Sequence, residues 1–185
     1  MAQVTALIDA NNFYASCEQS LDPALIGRPV VVLSNNDGCI VARSAEARAL
    51  GIAMGTPYFK ARQTLERCGV VVRSSNYALY ADMSQRLMSL LESQVEELEV
   101  YSIDEAFARI SRPAAGDLLP WGRRLRALAR RNLGLPIAIG LGASKSQAKL
   151  ANRLAKVEAP HAGLFDLGHC SNRDRWLETI AIEDV

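Results

Sequence analysis

The sequence predicts an α+β fold: a ferredoxin-like β-α-β-β-α-β domain with a small α/β lobe inserted after its first strand. Once residues from about 20 to 75 are set aside, apolar strand-like runs and segments of helical spacing follow one another in that order. The segment set aside carries strands and helices of its own. The chain has 185 residues, of which 49% are hydrophobic and 22% charged, so it can bury a substantial core.

Apolar runs and turn residues indicate the first strand and the inserted lobe. The run VTALID is a predicted strand that ends in Asp9, and NNFYASCEQ favours a turn of helix. RPVVVLS and CIVARS are predicted strands joined by the turn sequence NNDG. Two short helices follow, with Ser44 and Thr56 as their N-caps and a glycine after each. We expect Tyr58 and Phe59 to belong to the small core of this lobe.

The rest of the chain supplies the remaining strands and helices. VVVRSS is a predicted strand, and apolar residues at helical spacing predict a helix from Tyr77 to about Val95. The run EVYSIDEAFARI is a predicted hairpin, and a helix is expected at about 118–132. PIAIGLGAS is a predicted buried strand, SKSQAKLANRLAKVE a helix with Ser144 as N-cap, and GLFDLG a short final strand.

Composition and charge exclude several classes of protein. The formal net charge of +1 gives no global basic field, so any contact with nucleic acid must come from a local patch. No apolar run approaches the roughly 20 residues that span a bilayer, and the first residues do not resemble a signal peptide. The four cysteines show no CxxC spacing, which favours reduced thiols in the cytoplasm.

Three carboxylates are predicted to meet at one edge of the sheet. In the ferredoxin-like order the third strand lies antiparallel beside the first, so Asp9 at the end of the first adjoins Asp104 and Glu105 at the start of the third. A tight turn at SIDE would let both acids face the same way. Such donors suit Mg²⁺ or Mn²⁺, and a pair of these ions can catalyse phosphoryl transfer. The alternative is that Asp104 and Glu105 are solvated turn residues.

Five segments, in order, resemble the Y-family translesion DNA polymerases, and in particular their UmuC-type branch. They are LIDANNFYASCE, PVVVLSNNDGCIVARSAEARALGI, SSNYALYADMS, VYSIDEAF and GLGASKSQAKLAN, and they extend over nearly all of the chain. The resemblance implies a catalytic palm of residues 1–12 and 74–167 and a fingers insertion of residues 13–73. It also implies the start of a truncated thumb at residues 168–185.

The resemblance implies which residues carry the chemistry. The catalytic acids of the family fall on Asp9, Asp104 and Glu105, and with the backbone carbonyl of Ala10 they would bind two Mg²⁺ ions, with Mn²⁺ as a substitute. The steric gate, whose ring excludes the 2′-hydroxyl of ribonucleotides, falls on Tyr14.

Residues that would hold the triphosphate are also implied by the resemblance. They are Arg48 in the fingers and Lys145 at the start of the last palm helix. A tyrosine that other branches carry three residues before this arginine is Ala45 here. Without the resemblance, Lys145 would be an ordinary lysine on a capped, solvated helix, although a helix N-terminus is also a natural anion site.

The function that the resemblance implies is error-prone DNA synthesis across damaged template bases, in DNA repair and the SOS response. The expected substrates are primer–template DNA and deoxynucleoside triphosphates. A UmuD-like accessory subunit, a RecA filament and a sliding clamp are expected partners, mostly through parts of the family that these residues do not include. Phosphate contacts determine much of the affinity for DNA, and in the resembling family the thumb and the C-terminal domain supply most of the contacts with the duplex. We therefore expect the 185 residues alone to be weakly active or inactive.

Two alternative functions remain open from the sequence. One is a non-catalytic relative that acts as an adaptor for repair proteins, although such relatives typically lose the acids that are present here. The other is a nucleotide cyclase, since these enzymes build two-metal sites on a similar palm. The inserted lobe with its NNDG and ARSAEARALG segments disfavours the cyclase.

Overall fold

The computed structural model describes residues 2–112, 116–157, 163–170 and 176. The strands in these ranges are β1 (Ala2–Ala10), β2 (Val30–Leu33), β3 (Ile40–Arg43), β4 (Val71–Ser74), β5 (Glu97–Val100), β6 (Glu105–Arg112), β7 (Ile137–Gly142) and β8 (Leu164–Asp166). The α-helices are α1 (Phe13–Leu21), α2 (Ala45–Ala49), α3 (Tyr58–Arg67), α4 (Tyr77–Glu92), α5 (Leu119–Leu133) and α6 (Lys145–Val157). The mixed α+β fold is therefore confirmed.

The chain divides into two compact units. The first unit comprises residues 1–10, 85–132 and 136–185, and the second comprises residues 11–84 and 133–135. The division into palm, fingers and thumb that the sequence suggests stays a prediction. Within its last segment, residues 171–175 and 177–185 lie outside the described residues.

The first unit is built on a five-stranded sheet of order β5-β6-β1-β7-β8. β1 pairs antiparallel with both β6 and β7, and β5 pairs antiparallel with β6, as the ferredoxin-like order requires. β8 adds a strand parallel to β7, joined to it through α6. Every residue of β7 is buried, which explains why PIAIGLG reads as a continuous apolar run rather than an alternating one.

A glycine and an asparagine hold α6 close to the sheet. A Cβ atom at Gly140 would lie 2.0 Å from the backbone nitrogen of Asn152, so only glycine permits this approach. The buried Asn152 side chain donates to the carbonyls of Leu7 and Ala138, both at 3.1 Å. Gly140 pairs with Leu7 in the sheet, so α6 covers the face that carries Leu7 and, by strand alternation, Asp9.

The second unit contains a three-stranded sheet of order β3-β2-β4. β2 and β3 form the predicted antiparallel hairpin, and β4 is parallel to β2. Ser44 caps α2 as expected, because its side chain accepts a hydrogen bond from the backbone nitrogen of Ala47. The core of this unit consists of buried apolar residues from its strands and helices: Val31, Ile40, Ala47, Ile52, Ala61, Leu65 and Val70.

Two predictions about α3 are wrong. Thr56 is not the N-cap of this helix, because that position falls on Pro57. The carbonyl of Thr56 accepts from the backbone nitrogen of Ile40. Phe59 is not part of the core, since 77% of it is exposed. Tyr58, Ala61 and Leu65 form the inward face of α3, and residues at this spacing leave Phe59 on the opposite side.

The structure also describes the cysteines and the helices that a membrane span would require. Cys17, Cys39, Cys68 and Cys170 are free thiols, as their spacing predicts. None of the helices in the described ranges is long and apolar enough to span a bilayer.

Candidate active site

Asp9 and Glu105 face each other across two neighbouring strands of the first unit. Asp9 is the penultimate residue of β1, Glu105 opens β6, and the two are direct partners in the antiparallel register. Directly opposed side chains project from the same face of a sheet, so the two carboxyl groups are adjacent. Asp9 is only 6% exposed. The predicted meeting of the two strand ends is therefore present.

The hydroxyl of Ser102 fixes the turn that brings in the third acid. It donates to Asp104 Oδ1 at 2.8 Å and accepts from the backbone nitrogen of Glu105 at 3.1 Å. The backbone nitrogens of Tyr101 and Ser102 both donate to the carbonyl of Glu105 at 3.0 Å, which closes the turn. Asp104 consequently lies just before β6 rather than within it, and the alternation that would separate it from Glu105 does not apply.

A backbone hydrogen bond joins this turn to the end of β1. The backbone nitrogen of Ala10 donates to the carbonyl of Asp104 at 2.9 Å. Ala10 itself is buried and pairs with Ile137 of β7. Asp9, Asp104 and Glu105, here called the carboxylate cluster, are thus held by main-chain bonds between β1 and the turn before β6.

The carboxylate cluster carries more negative charge than its surroundings readily accommodate. Burial, followed by the hydrogen bond and the negative charge of Asp9, raises the pKa of Glu105 to about 7. Burial is also the main cause that raises the pKa of Asp104, and the charge of Asp9 adds to it. Near neutral pH and without a cation, Glu105 is therefore partly protonated.

Lys156 supplies a positive charge that the sequence analysis missed. Its Nζ lies 2.6 Å from Asp9 Oδ2, from the last turn of α6. Lys156 lies outside the segments that resemble the family. The available signal is that α6 must return along the sheet towards the start of β7. Because Asp9 pairs with Ala138 near that start, the end of α6 and not its beginning reaches the carboxylates.

The structure places Lys145 elsewhere. Its Nζ is bound by both carboxylate oxygens of Glu99 at 2.6 Å and lies 5.1 Å from the centre of the Phe107 ring. Lys145 opens α6, whereas Lys156, which contacts Asp9, lies three turns further along the same helix. The direction of α6 therefore separates Lys145 from the carboxylate cluster in this structure.

The donors of the carboxylate cluster fit a divalent cation. Carboxylate oxygens are the hard ligands that Mg²⁺ and Mn²⁺ prefer, and these buried and half-buried like charges have Lys156 as a nearby countercharge. Across the described ranges no three His, Cys, Asp or Glu side chains form a ready-made ligand group. Two of the acids have other partners, since Asp9 is bound to Lys156 and Asp104 to Ser102. A cation would replace the ammonium group at Asp9 and the proton on Glu105.

In the second unit, Tyr14 belongs to an aromatic group on α1 and α4. Its ring stacks on that of Tyr80, with centroids 4.2 Å apart and planes inclined by 12°. The ring of Tyr77 meets both edge-on at 6.3 Å. We call Tyr14, Tyr77 and Tyr80 the tyrosine cluster. Phe13, which precedes Tyr14 on α1, is buried, with 4% of it exposed.

Arg48 lies in the second unit on the short helix α2. Its side chain is exposed, and the backbone nitrogen of Arg48 donates to the carbonyl of Ser44, which caps the helix. The side chain is therefore accessible to an anionic ligand. Its predicted contact with a triphosphate stays a prediction.

Comparison with known proteins gives consistent matches. A sequence model described as the impB/mucB/samB family matches residues 8–153. Protein UmuC of Salmonella typhimurium is 50% identical over 182 residues, which cover 97% of this chain and 43% of UmuC. DNA polymerase IV of Corynebacterium diphtheriae is 39% identical over 153 residues, which cover 80% of this chain and 34% of that protein. The chain thus spans less than half the length of these curated relatives.

A solved structure shares the fold. The chain superposes on an insertion ternary complex of Dbh DNA polymerase with a TM-score of 0.82 and 25% sequence identity. The match covers 98% of this chain and 53% of that polymerase.

Proposed function

The chain belongs to the impB/mucB/samB family, and from this premise we propose that it carries the catalytic part of a translesion DNA polymerase. The observation that carries the proposal is the register that sets Asp9 opposite Glu105, with the Ser102 turn adding Asp104. Catalytic polymerases need acids at one point of the sheet, and a non-catalytic adaptor does not. Matches to UmuC and to DNA polymerase IV support the same reading.

The proposed reaction is nucleotidyl transfer. The 3′-hydroxyl oxygen of a primer attacks the α-phosphorus of a deoxynucleoside triphosphate, a new P–O bond forms, and the bond to the leaving pyrophosphate breaks. Asp9, Asp104, Glu105 and the carbonyl of Ala10 would hold two Mg²⁺ ions, or Mn²⁺ in their place. Bound there, the ions would stabilise negative charge on the attacking and leaving oxygens.

The protein's own residues prepare this site in a defined way. The Ser102 hydroxyl orients Asp104, and main-chain bonds fix Asp9 relative to Glu105. Glu105 would lose its proton readily when a cation binds, because its pKa of about 7 lies near physiological pH. Lys156, once displaced from Asp9, can turn its ammonium group to the phosphates of the nucleotide.

Three further residues are assigned to nucleotide handling within this proposal. Tyr14 would exclude the 2′-hydroxyl of ribonucleotides as the steric gate, and its place four residues after Ala10 along the chain supports this role. Arg48 would contact the triphosphate, which its exposed guanidinium on α2 supports. Lys145 would reach phosphates only after it leaves Glu99, so its role has the weakest structural support.

The biological setting follows from the same proposal. The function would be bypass of damaged bases in primer–template DNA, during DNA repair and the SOS response, in the cytoplasm. A UmuD-like subunit, a RecA filament and a sliding clamp would assist through parts of the polymerase outside these residues. The residues present here would supply the chemistry and the choice of nucleotide.

A primer-extension assay tests the proposal. The chain is joined to the thumb and C-terminal domains of its UmuC relative, and incorporation of single deoxynucleotides is measured with Mg²⁺. Asp104→Ala should reduce kcat by at least about a hundredfold, the scale of losing one group that stabilises transition-state charge. Glu92→Gln removes an exposed acid of the same unit and serves as the matched control. Undiminished incorporation by Asp104→Ala would refute the proposal.

A further inference from the structure

Tyr80 contacts two successive turns of α1 at once. Tyr14 and Glu18 are four residues apart on α1 and therefore project from the same face of the helix. The ring of Tyr80 stacks on Tyr14 at 4.2 Å between centroids, and its hydroxyl donates to Glu18 Oε1 at 2.8 Å. The stack and the hydrogen bond thus constrain the same side chain at its two ends.

Burial makes the hydrogen bond to Glu18 important for the orientation of Tyr80. Tyr80 is fully buried, and burial raises the pKa of its hydroxyl, so the group remains a neutral donor. A buried donor without an acceptor is strongly unfavourable, so the ring adopts the tilt that reaches Glu18. The Glu18 side chain is itself only 14% exposed.

Glu18 is restrained from its other side. Its Oε2 lies 3.8 Å from Arg73 Nε, and Arg73 also donates to Asp22 Oδ2 at 3.2 Å. These contacts connect the end of α1 with strand β4 of the same unit. They give the acceptor a fixed place from which it can orient Tyr80.

We infer that Glu18 is a positioning residue for sugar selection, which acts on Tyr14 through Tyr80. The inference rests on the proposed role of Tyr14 as the steric gate. A gate excludes a hydroxyl group by close contact, so it must keep its ring in one place, and the stack on Tyr80 provides that restraint. Tyr77 closes one edge of the pair and remains 53% exposed.

The inference is tested by sugar discrimination, measured as the ratio of kcat/KM for ribonucleotides to that for deoxynucleotides. The assay uses the chain joined to the thumb and C-terminal domains of its UmuC relative. Glu18→Ala and Tyr80→Phe should raise the ratio on the order of tenfold, because both remove the hydrogen bond and release the gate. Glu18→Gln should stay near the unsubstituted protein, because its amide oxygen still accepts from Tyr80. Glu66→Ala, an exposed acid of the same unit, is the control.

A spectroscopic measurement on the 185-residue chain keeps the test independent of turnover. With 3-fluorotyrosine placed at Tyr14, the ¹⁹F resonance should shift or broaden in Glu18→Ala and Tyr80→Phe but not in Glu18→Gln or Glu66→Ala. A general loss of stability would not be rescued selectively by glutamine.

The outcomes separate the inference from the proposed function. If Tyr14→Ala abolishes discrimination while Glu18→Ala changes neither the ratio nor the resonance, the positioning role is wrong and the gate stands. If Tyr14→Ala leaves discrimination unchanged, the gate role fails and the inference fails with it. If the protein incorporates no nucleotide at all, the proposed function fails, and an unaltered ¹⁹F resonance in Glu18→Ala overturns the positioning of Tyr14 as well.

Discussion

The carboxylate cluster and the tyrosine cluster are stabilised in opposite ways. In the carboxylate cluster, like charges lie close together, and Lys156 and the partial protonation of Glu105 only partly compensate them. In the tyrosine cluster the buried ring of Tyr80 is neutral, stacked and hydrogen-bonded to Glu18. The first cluster therefore needs a ligand to reach its most stable state, and the second does not. The carboxylate cluster thus depends on pH and on a cation, as a catalytic site does. The tyrosine cluster instead fixes the positions of its rings by packing.

The largest expected effect comes from the tyrosine cluster. Tyr80→Ala should lower the free energy of unfolding by about 3–5 kcal/mol, the range for truncating a fully buried aromatic side chain. The loss should be the same with and without Mg²⁺, because none of the three side chains of the tyrosine cluster is a carboxylate that could bind the cation. Denaturant unfolding under these conditions measures it. A loss that changes with Mg²⁺ would contradict the proposed contrast between the clusters.

Ser102→Ala should have the next largest effect, and on the carboxylate cluster alone. The hydroxyl orients Asp104 and binds the backbone of the turn, so its removal should weaken Mg²⁺ binding by about 10–100-fold. Calorimetric titration with Mg²⁺ measures the change. Ser93→Ala, which removes a local hydroxyl-to-carbonyl bond in the same unit, is the control. Equal affinity in Ser102→Ala and the unsubstituted protein would exclude a role for this turn.

The smallest expected effect is a pH-dependent gain in stability from Glu105→Gln. The pKa of Glu105 is raised to about 7 from an ordinary 4.5, so the folded metal-free protein holds a proton that the unfolded chain has lost. Stability of the metal-free protein should therefore fall as the pH rises from about 5 through 7. Glu105→Gln removes the titrating group and should stabilise the metal-free protein at about pH 8 by about 1 kcal/mol, with little effect near pH 5.

Thermal unfolding at the two pH values measures this gain. Excess Mg²⁺ should raise the melting temperature of the unsubstituted protein more at the higher pH, where Glu105 is ionised and can bind the ion. Glu92→Gln, which removes an exposed acid, is the control. Stability that rises with pH in the metal-free protein would mean that the carboxylate cluster is not under electrostatic stress.

The sequence predicted the fold and the meeting of the acids because both follow from topology. The strand order of a ferredoxin-like sheet brings Asp9 beside Glu105 wherever the connecting segments lie. The tight turn predicted at SIDE is also present, and the Ser102 hydroxyl fixes it by accepting from the backbone nitrogen of Glu105. These are local or topological signals that a sequence expresses directly.

Other features depended on contacts that no pattern expresses. Lys156 and Lys145 are both lysines on α6, and only the direction of the helix against the sheet assigns Lys156 to Asp9. The exposure of Phe59 depended on which face of α3 the small core selects. The link from Tyr80 to Glu18 joins residues 62 positions apart, and neither segment indicates the other.

Mn²⁺ binding followed by electron paramagnetic resonance tests the central claim most directly. The claim is that Asp9, Asp104 and Glu105 together hold divalent cations. The signal of free Mn²⁺ should decrease on titration with the unsubstituted chain and with Glu92→Gln. On titration with Asp9→Asn or Asp104→Asn, most of the signal should remain. Equal Mn²⁺ binding by all of these proteins, or by none of them, would contradict the account.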